Sequence, residues 1–165
     1  SPNKSGKSHL VNIWKKNNNA ILYCHNLREI IDAKQNVAID DLFKNIIEED
    51  IFHIINHCKQ ENLKILITSN LSLNDYSFKL KDLKSRLKTF YHVSISNPDD
   101  EMIKIILTKL LHEKQFIIKN PEIFEFLVKR VERSYQSIYN LVDKLDQLSL
   151  EKKRQLTIPL IKEIL

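Results

Sequence analysis

The chain begins with the stretch Ser1-Pro2-Asn3-Lys4-Ser5-Gly6-Lys7-Ser8. This stretch fits the phosphate-binding pattern GxxxxGK, followed by Ser or Thr, at every defined position except the first, where Ser1 replaces glycine. Gly6 is the only glycine among 165 residues, which indicates a backbone conformation that other residues rarely adopt. The stretch therefore predicts a phosphate-binding loop that leads into a helix. The alternative is a polar turn in which Gly-Lys-Ser occurs by chance.

This loop pattern has a specific chemistry. Backbone N–H groups of the loop and of the following helix surround a β-phosphate. Lys7 is expected to reach the β- and γ-phosphates, and the Ser8 hydroxyl to bind Mg²⁺. The expected cofactors are ATP or ADP with Mg²⁺. The candidate nucleotide-binding residues are Pro2, Asn3, Lys4, Ser5, Gly6, Lys7, Ser8 and His9.

Two carboxylates follow a short apolar run in Gln35-Asn36-Val37-Ala38-Ile39-Asp40-Asp41. This is the Walker-B arrangement, in which Asp40 holds the Mg²⁺ shell with Ser8 and Asp41 polarises a water molecule as a catalytic residue. The alternative is an ordinary strand that runs into a solvated acidic loop. The two motifs occur in the order that a nucleotide site requires, which favours nucleotide binding.

A third apolar run ends in polar residues, in Ile65-Leu66-Ile67-Thr68-Ser69-Asn70. Thr68 or Asn70 could orient the hydrolytic water, and Asn70 is the third candidate site element after the two acids. Polar residues are also common in the turns that follow strands, so this motif alone is weak evidence.

The apolar pattern alternates between strands and helices up to about residue 96. Short apolar runs at residues 20–23, 37–39, 65–68 and 91–95 predict strands that are buried on both faces, as in a parallel sheet. Residues 8–16, 26–33 and 48–61 predict helices, and the last of these places Ile51, Ile54, Ile55 and Cys58 on one face. The strand that normally precedes a phosphate-binding loop is expected upstream of Ser1. The fold class is therefore α/β, with residues 1–96 as the nucleotide-binding domain.

Residues 97–165 predict a separate all-helical domain. Asn97-Pro98-Asp99-Asp100 opens its first helix, whose predicted buried stripe is Ile105, Ile106, Leu110 and Leu111. Asn120-Pro121-Glu122 predicts a second helix start. Ser134 is expected to cap a third helix and Thr157 a fourth. The stripe of the third helix is Ile138, Leu141, Val142, Leu145 and Leu148, and that of the fourth is Ile161, Ile164 and Leu165.

Composition excludes a membrane protein and leaves nucleic-acid binding open. The chain is 42% hydrophobic, and no stretch approaches the roughly 18 to 20 apolar residues of a membrane helix. The net charge of +5 comes from 26 basic and 21 acidic residues that are spread along the chain, which gives a mild field. Cys24 and Cys58 have no zinc-type spacing and are expected to be reduced thiols in a cytoplasmic protein. His53 and His57 lack further metal ligands, so a solvated helix face is expected there.

These motifs together resemble the AAA+ core of the DnaA/Hda family of replication-initiation ATPases. The resemblance is carried by the Ser-Gly-Lys-Ser-His-Leu loop, the Val-Ala-Ile-Asp-Asp and Leu-Ile-Thr-Ser-Asn strands, and the segment Leu80-Lys81-Asp82-Leu83-Lys84-Ser85-Arg86-Leu87. The tail is similar to the helical lid domain of the same family. It matches in Asn97-Pro98-Asp99-Asp100-Glu101, in Arg130-Val131-Glu132-Arg133-Ser134 and in Leu156-Thr157-Ile158-Pro159-Leu160-Ile161-Lys162-Glu163-Ile164-Leu165.

The resemblance implies a regulatory role. It makes Arg86 an arginine finger that acts on the nucleotide of a neighbouring subunit, namely the ATP-bound initiator DnaA. It also implies contact with the sliding clamp through a motif upstream of Ser1, and possible self-association. The run Ser134-Tyr135-Gln136-Ser137 lies where DnaA-type lids carry a phosphate-sensing arginine, so the protein's own hydrolysis is expected to be weak.

A DNA-binding initiator or loader of the DnaA type is the alternative. No helix-turn-helix domain follows the lid in this sequence, so no sequence-specific DNA binding is expected. A steep salt dependence of DNA binding would favour the alternative.

Overall fold

The computed structural model describes residues 2–118 and 120–164. The replacement of the first loop glycine by Ser1, and the place of Leu165 in the last helical stripe, lie outside the described residues. The described chain divides into two compact units. One comprises residues 5–95, and the other comprises residues 96–164 together with residues 2–4.

The first unit contains a parallel sheet of three strands in the order β1-β2-β3. Ala20 pairs with Asn36 at the start of β1 and β2, and Ile39 pairs with Ile67 at the end of β2 and β3. The predicted parallel sheet is thus confirmed. Its elements in chain order are α1 (Lys7–Asn18), β1 (Ala20–Leu22), α2 (Leu27–Ala33), β2 (Asn36–Ile39), α3 (Glu48–Gln60), β3 (Ile65–Ile67) and α4 (Lys81–Lys88).

The core of this unit lies between β2 and the helices. Val37, Ala38 and Ile39 of β2 are buried, as expected for the central strand of a sheet that is covered on both faces. The four residues predicted to share one face of α3, Ile51, Ile54, Ile55 and Cys58, are all buried. The spacing of 3.6 residues per turn accounts for this stripe.

The predicted fourth strand, residues 91–95, is wrong. These residues form no strand, and Tyr91 and Val93 are 94% and 75% exposed. A strand requires a partner backbone at about 4.8 Å. Here β3 pairs with β2 alone among the described strands, and a cavity of about 880 Å³ is lined by both β3 and residues 91–95. The apolar pattern is present, but the pairing partner is not.

The second unit consists, in its described part, of the helices α5 (Asp100–Glu113), α6 (Glu122–Val128), α7 (Tyr135–Lys152) and α8 (Ile158–Ile161). The predicted caps Ser134 and Thr157 are confirmed, and Asp99 caps α5 within the segment predicted to open it. Asp99 accepts a hydrogen bond from Met102 N, Ser134 accepts one from Ser137 N, and Thr157 accepts one from Leu160 N. Asn120 accepts from Glu122 N at 2.9 Å before α6. No described helix is long and apolar enough to span a membrane.

The predicted stripe of α5 is wrong at one position. Ile105 is 62% exposed, whereas Ile103 and Leu107 are buried together with Leu110 and Leu111. The buried residues therefore follow i, i+4, i+7, i+8, and Ile105 lies about 200° around the helix from Ile103. On α7 the predicted residues Ile138, Leu141, Val142 and Leu145 are buried as expected.

Candidate functional site

The site begins at Gly6, which directly precedes α1. Gly6 has φ 84° and ψ 10°, a left-handed conformation that residues with a Cβ rarely adopt. A Cβ added to Gly6 would meet no heavy atom within 4 Å. The glycine is therefore required by its backbone conformation and not by a lack of space, as the sequence had predicted. Lys4, two residues earlier, also has a positive φ of 61°.

The start of α1 is suited to a bound anion. The residue before the helix, Gly6, provides no side-chain cap, and the first turn contains no acidic residue. Ser8 and His9 lie exposed in this turn. The N–H groups of a helix start carry a partial positive charge, and a phosphate satisfies them. Among the other candidates Pro2 is half-buried, while Asn3 and Lys4 are exposed.

A hydrogen-bond chain joins the two acids to the end of β3. The Thr68 hydroxyl donates to Asp40 Oδ1 at 2.7 Å and accepts from Asp41 N at 2.9 Å. The Asn70 amide donates to Asp41 Oδ2 at 2.9 Å. Asp41 itself has a φ of 57°, which turns the chain sharply after β2. The Walker-B acids and both polar candidates after β3 therefore form one cluster at the carboxyl edge of the sheet.

Lys7 belongs to the same electrostatic environment. Burial lowers the pKa of the Lys7 ammonium, and the charges of Asp41 and Asp40 act in the opposite direction. The Lys7 Nζ also donates to the Ser5 hydroxyl at 3.3 Å. A partly desolvated lysine beside two carboxylates is a cation positioned for a further anion, such as a phosphate.

The residues of this edge fit Mg²⁺. Thr68 donates to one Asp40 oxygen only, and the described contacts leave Oδ2 available. Within the described residues no group of three or more His, Cys, Asp and Glu side chains is arranged for a metal. Mg²⁺ does not require such a group, since it is usually held by one or two protein oxygens, waters and substrate phosphates. Asp40 and the Ser8 hydroxyl are ligands of the appropriate kind.

Arg86 does not join this cluster through any described contact. It lies in the last turn of α4, and its Cζ is 4.7 Å from the centroid of the Phe52 ring on α3. By their described contacts, five of the sequence-predicted site residues divide into two groups. Lys7, Asp40, Asp41 and Asn70 are linked by hydrogen bonds or charge, and Arg86 stands apart on α4.

Sequence reasoning did not identify Glu48 as part of the architecture. Glu48 lies with Glu49 and Asp50 in the first turn of α3, where acidic side chains interact favourably with the helix dipole. In the structure Glu48 is 6% exposed and accepts hydrogen bonds from Lys79 N and Leu80 N, at the start of α4. No local signal reveals this role, because the partner lies 31 residues away along the chain.

The parallel sheet, the left-handed glycine before α1 and the helical second unit are features of an α/β fold of the AAA+ type. Structural comparison agrees. Domain III of the Thermotoga maritima replication initiation protein DnaA superimposes with a TM-score of 0.75 at 19% identity, covering 100% of this chain and 80% of that one. DnaA of Aquifex aeolicus, with AMPPCP bound, gives 0.63 at 19% identity over 93% of this chain and 56% of that one.

Sequence comparison identifies proteins that this chain resembles. Residues 99–165 match the family described as Hda, lid domain. An uncharacterised protein of Haemophilus influenzae is 31% identical over 143 residues, and the chromosomal replication initiator protein DnaA of Buchnera aphidicola is 25% identical over 190. The matches cover 83% and 97% of this chain, but only 61% and 43% of those proteins. Residues 99–165 are therefore similar to the Hda lid, and the chain as a whole is similar to DnaA.

Proposed function

We propose that this protein is an ATP- or ADP-binding regulator of chromosomal replication initiation, which stimulates hydrolysis of ATP held by a DnaA-type initiator. The observation that carries the proposal is the cluster of Lys7, Asp40, Asp41, Thr68 and Asn70 at the carboxyl edge of the sheet. The match of the second unit to the Hda lid supports the regulatory role over an independent motor.

The nucleotide phosphates would lie against the start of α1. There Lys7 neutralises the β- and γ-phosphates, while Asp40 and Ser8 hold the associated Mg²⁺. Asn70 fixes one oxygen of Asp41 through its hydrogen bond. The orientation of the second Asp41 oxygen is therefore set by the end of β2, which carries Asp41, and by the end of β3, which carries Asn70. AMPPCP bound to the Aquifex aeolicus initiator supports a nucleotide as the ligand class.

The protein's own hydrolysis is expected to be slow. By resemblance, Ser137 of α7 or a neighbour stands where DnaA-type lids carry a phosphate-sensing arginine. The Ser137 hydroxyl donates to Glu132 Oε2 at 2.6 Å, and the nearby Arg133 pairs with Asp100 at 2.9 Å. Neither side chain therefore takes the place of the phosphate-sensing arginine. The bound nucleotide would be hydrolysed slowly and would act mainly as a structural ligand.

Arg86 would act in trans on the initiator. An arginine supplied by a neighbouring subunit stabilises charge on the transferring phosphoryl group and is worth about 10³ to 10⁵ in rate. The expected partners are therefore the initiator and the sliding clamp, with self-association as a further possibility. These interactions, and a cytoplasmic location beside the chromosome, belong to the proposal.

The test is hydrolysis of ATP preloaded on the purified initiator of the same organism, measured in a single turnover with clamp and DNA present. Addition of this protein should accelerate hydrolysis, and Arg86→Ala should reduce the rate to that of the initiator alone. Arg28→Ala is the matched control, because Arg28 is exposed on α2 of the same unit. Equal acceleration by wild type and Arg86→Ala would contradict the finger assignment.

A DnaA-type initiator or loader that acts on DNA is the second candidate. The alignment with the Buchnera aphidicola initiator, which covers 97% of this chain, favours it. Tight DNA binding that weakens steeply with salt, together with no effect on the initiator's ATP, would support this candidate and contradict the regulatory proposal.

A further inference from the structure

Helix α4, which carries Arg86, is held at its start by α3. The buried Glu48 carboxylate accepts hydrogen bonds from Lys79 N at 3.1 Å and from Leu80 N at 2.7 Å. Leu80 precedes α4 and contributes no side-chain cap of its own. Glu48, from a different helix, therefore holds the two backbone N–H groups that immediately precede α4, and it fixes where the chain enters this helix.

The same face of α3 supports Arg86 itself. Phe52 lies four residues, or about one helical turn, after Glu48. The Arg86 guanidinium lies over its ring, with Cζ 4.7 Å from the centroid. Phe52 is half-buried and packs against the core that includes Leu83 and Leu87 of α4. One helix thus fixes both the start of α4 and the side chain in its last turn.

The stacking leaves the hydrogen-bonding groups of Arg86 available. A guanidinium stacks on an aromatic ring through its flat face, while its five N–H donors lie in the plane. Within the described part of the chain, the Arg86 side chain makes no hydrogen bond or ion pair. Arg133, by contrast, pairs with Asp100, and Arg130 donates to the Phe126 carbonyl. The contact with Phe52 therefore restrains the orientation of Arg86, while its N–H donors stay free of described partners.

We infer that Phe52 is a positioning residue, which holds the Arg86 guanidinium in an orientation suited to a phosphoryl group of a second protein. This inference rests on the proposed function of Arg86. A flexible arginine loses side-chain entropy when it is ordered in a transition state. Prior stacking on Phe52 reduces that loss of entropy. It should therefore raise the maximal rate of hydrolysis without changing how tightly the two proteins bind each other.

The test compares Phe52→Leu, which removes the ring, with Phe52→Tyr, which keeps it. The single-turnover assay on initiator-bound ATP is run over a range of concentrations of the added protein. Phe52→Leu should lower the maximal rate about 3- to 30-fold, in keeping with the side-chain entropy lost when an arginine is ordered. The concentration that gives half the maximal rate should stay unchanged, and Phe52→Tyr should behave as wild type.

The double variant distinguishes positioning from general damage. In an Arg86→Lys background Phe52→Leu should have a smaller effect than in the wild type, since lysine keeps the charge but stacks poorly on the ring. An equal fold loss in the two backgrounds, or a maximal rate for Phe52→Leu equal to that of wild type, would overturn the inference. Should Phe52→Leu melt well below wild type, Arg86→Lys provides the second test. It keeps the charge but stacks poorly, so a maximal rate as high as that of wild type would overturn the inference equally.

These results also separate the two proposals. Full acceleration by Arg86→Ala removes the proposed function and the inference with it. Acceleration that is lost with Arg86→Ala and retained with Phe52→Leu leaves the proposed function intact and removes only the role of Phe52.

Discussion

At the scale of single residues, the hydroxyl of Thr68 connects the two strand ends that form the site. It donates to Asp40 and accepts from the backbone of Asp41, so the hydroxyl acts as donor and as acceptor at once. Asp41 has a left-handed backbone, which its neighbours must stabilise. Thr68 therefore supports the geometry of both acids without needing to contact a ligand.

Thr68→Val should destabilise the protein and weaken binding of the Mg²⁺–nucleotide. The substitution keeps the shape but leaves the Asp41 N–H and the Asp40 carboxylate without their partner, at a cost of about 1 to 3 kcal/mol. Urea denaturation measures the first effect, and titration of ADP with and without Mg²⁺ measures the second. Thr68→Ser, which keeps the hydroxyl, is the control. A valine variant as stable as the serine variant would show that the bridge contributes little.

At the scale of elements, Glu48 links α3 to α4. Its two accepted hydrogen bonds are charge-assisted, and the carboxylate is buried. Such bonds are stronger than neutral ones. The neighbouring Glu49 lies in the same first turn but is exposed, so it shares the interaction with the helix dipole and lacks the contact with α4.

Glu48→Gln should therefore lower the free energy of unfolding by about 1 to 3 kcal/mol, because one oxygen acceptor becomes an N–H₂ donor opposite a backbone N–H. Glu49→Gln should change it by less than about 0.5 kcal/mol. Chemical denaturation of the two variants measures the difference. Equal losses would mean that the helix dipole, and not the α3–α4 link, accounts for the effect of Glu48.

The elements also show how far the sequence could be interpreted. Local rules were sufficient for the buried face of α3 and for the caps Ser134 and Thr157, because spacing and capping act within a few residues. They were insufficient for residues 91–95, whose strand pattern has no adjacent partner, and for Ile105, whose neighbours on α5 bury a different stripe.

The grouping of the candidate site residues was predictable in part, for the same reason. Lys7, Asp40, Asp41 and Asn70 were found because each follows a recognisable loop or strand end, and parallel strands bring their carboxyl ends to one edge. The stacking of Arg86 on Phe52 and the contact of Glu48 with α4 depend on tertiary packing between helices. No pattern within the chain indicates them.

At the scale of the whole molecule, each unit has its own hydrophobic core. The core of the first includes Val37, Ile54 and Leu83, and the core of the second includes Ile103, Leu127 and Leu145. Every described residue of the proposed phosphate and Mg²⁺ cluster from Ser5 to Asn70 lies in the first unit. This chain spans 61% and 43% of the length of the two relatives described above. The activity of the whole protein is therefore part of the proposed function.

The central claim is that the edge formed by Lys7, Asp40, Asp41, Thr68 and Asn70 is a nucleotide site, and calorimetric titration of ADP and Mg²⁺ into the purified protein tests it most directly. We predict one molecule of ADP bound per chain, with affinity at least tenfold weaker for Lys7→Ala and unchanged for Lys59→Ala, an exposed lysine on α3. Absence of binding to the wild-type protein, or equal binding by Lys7→Ala, would contradict the account.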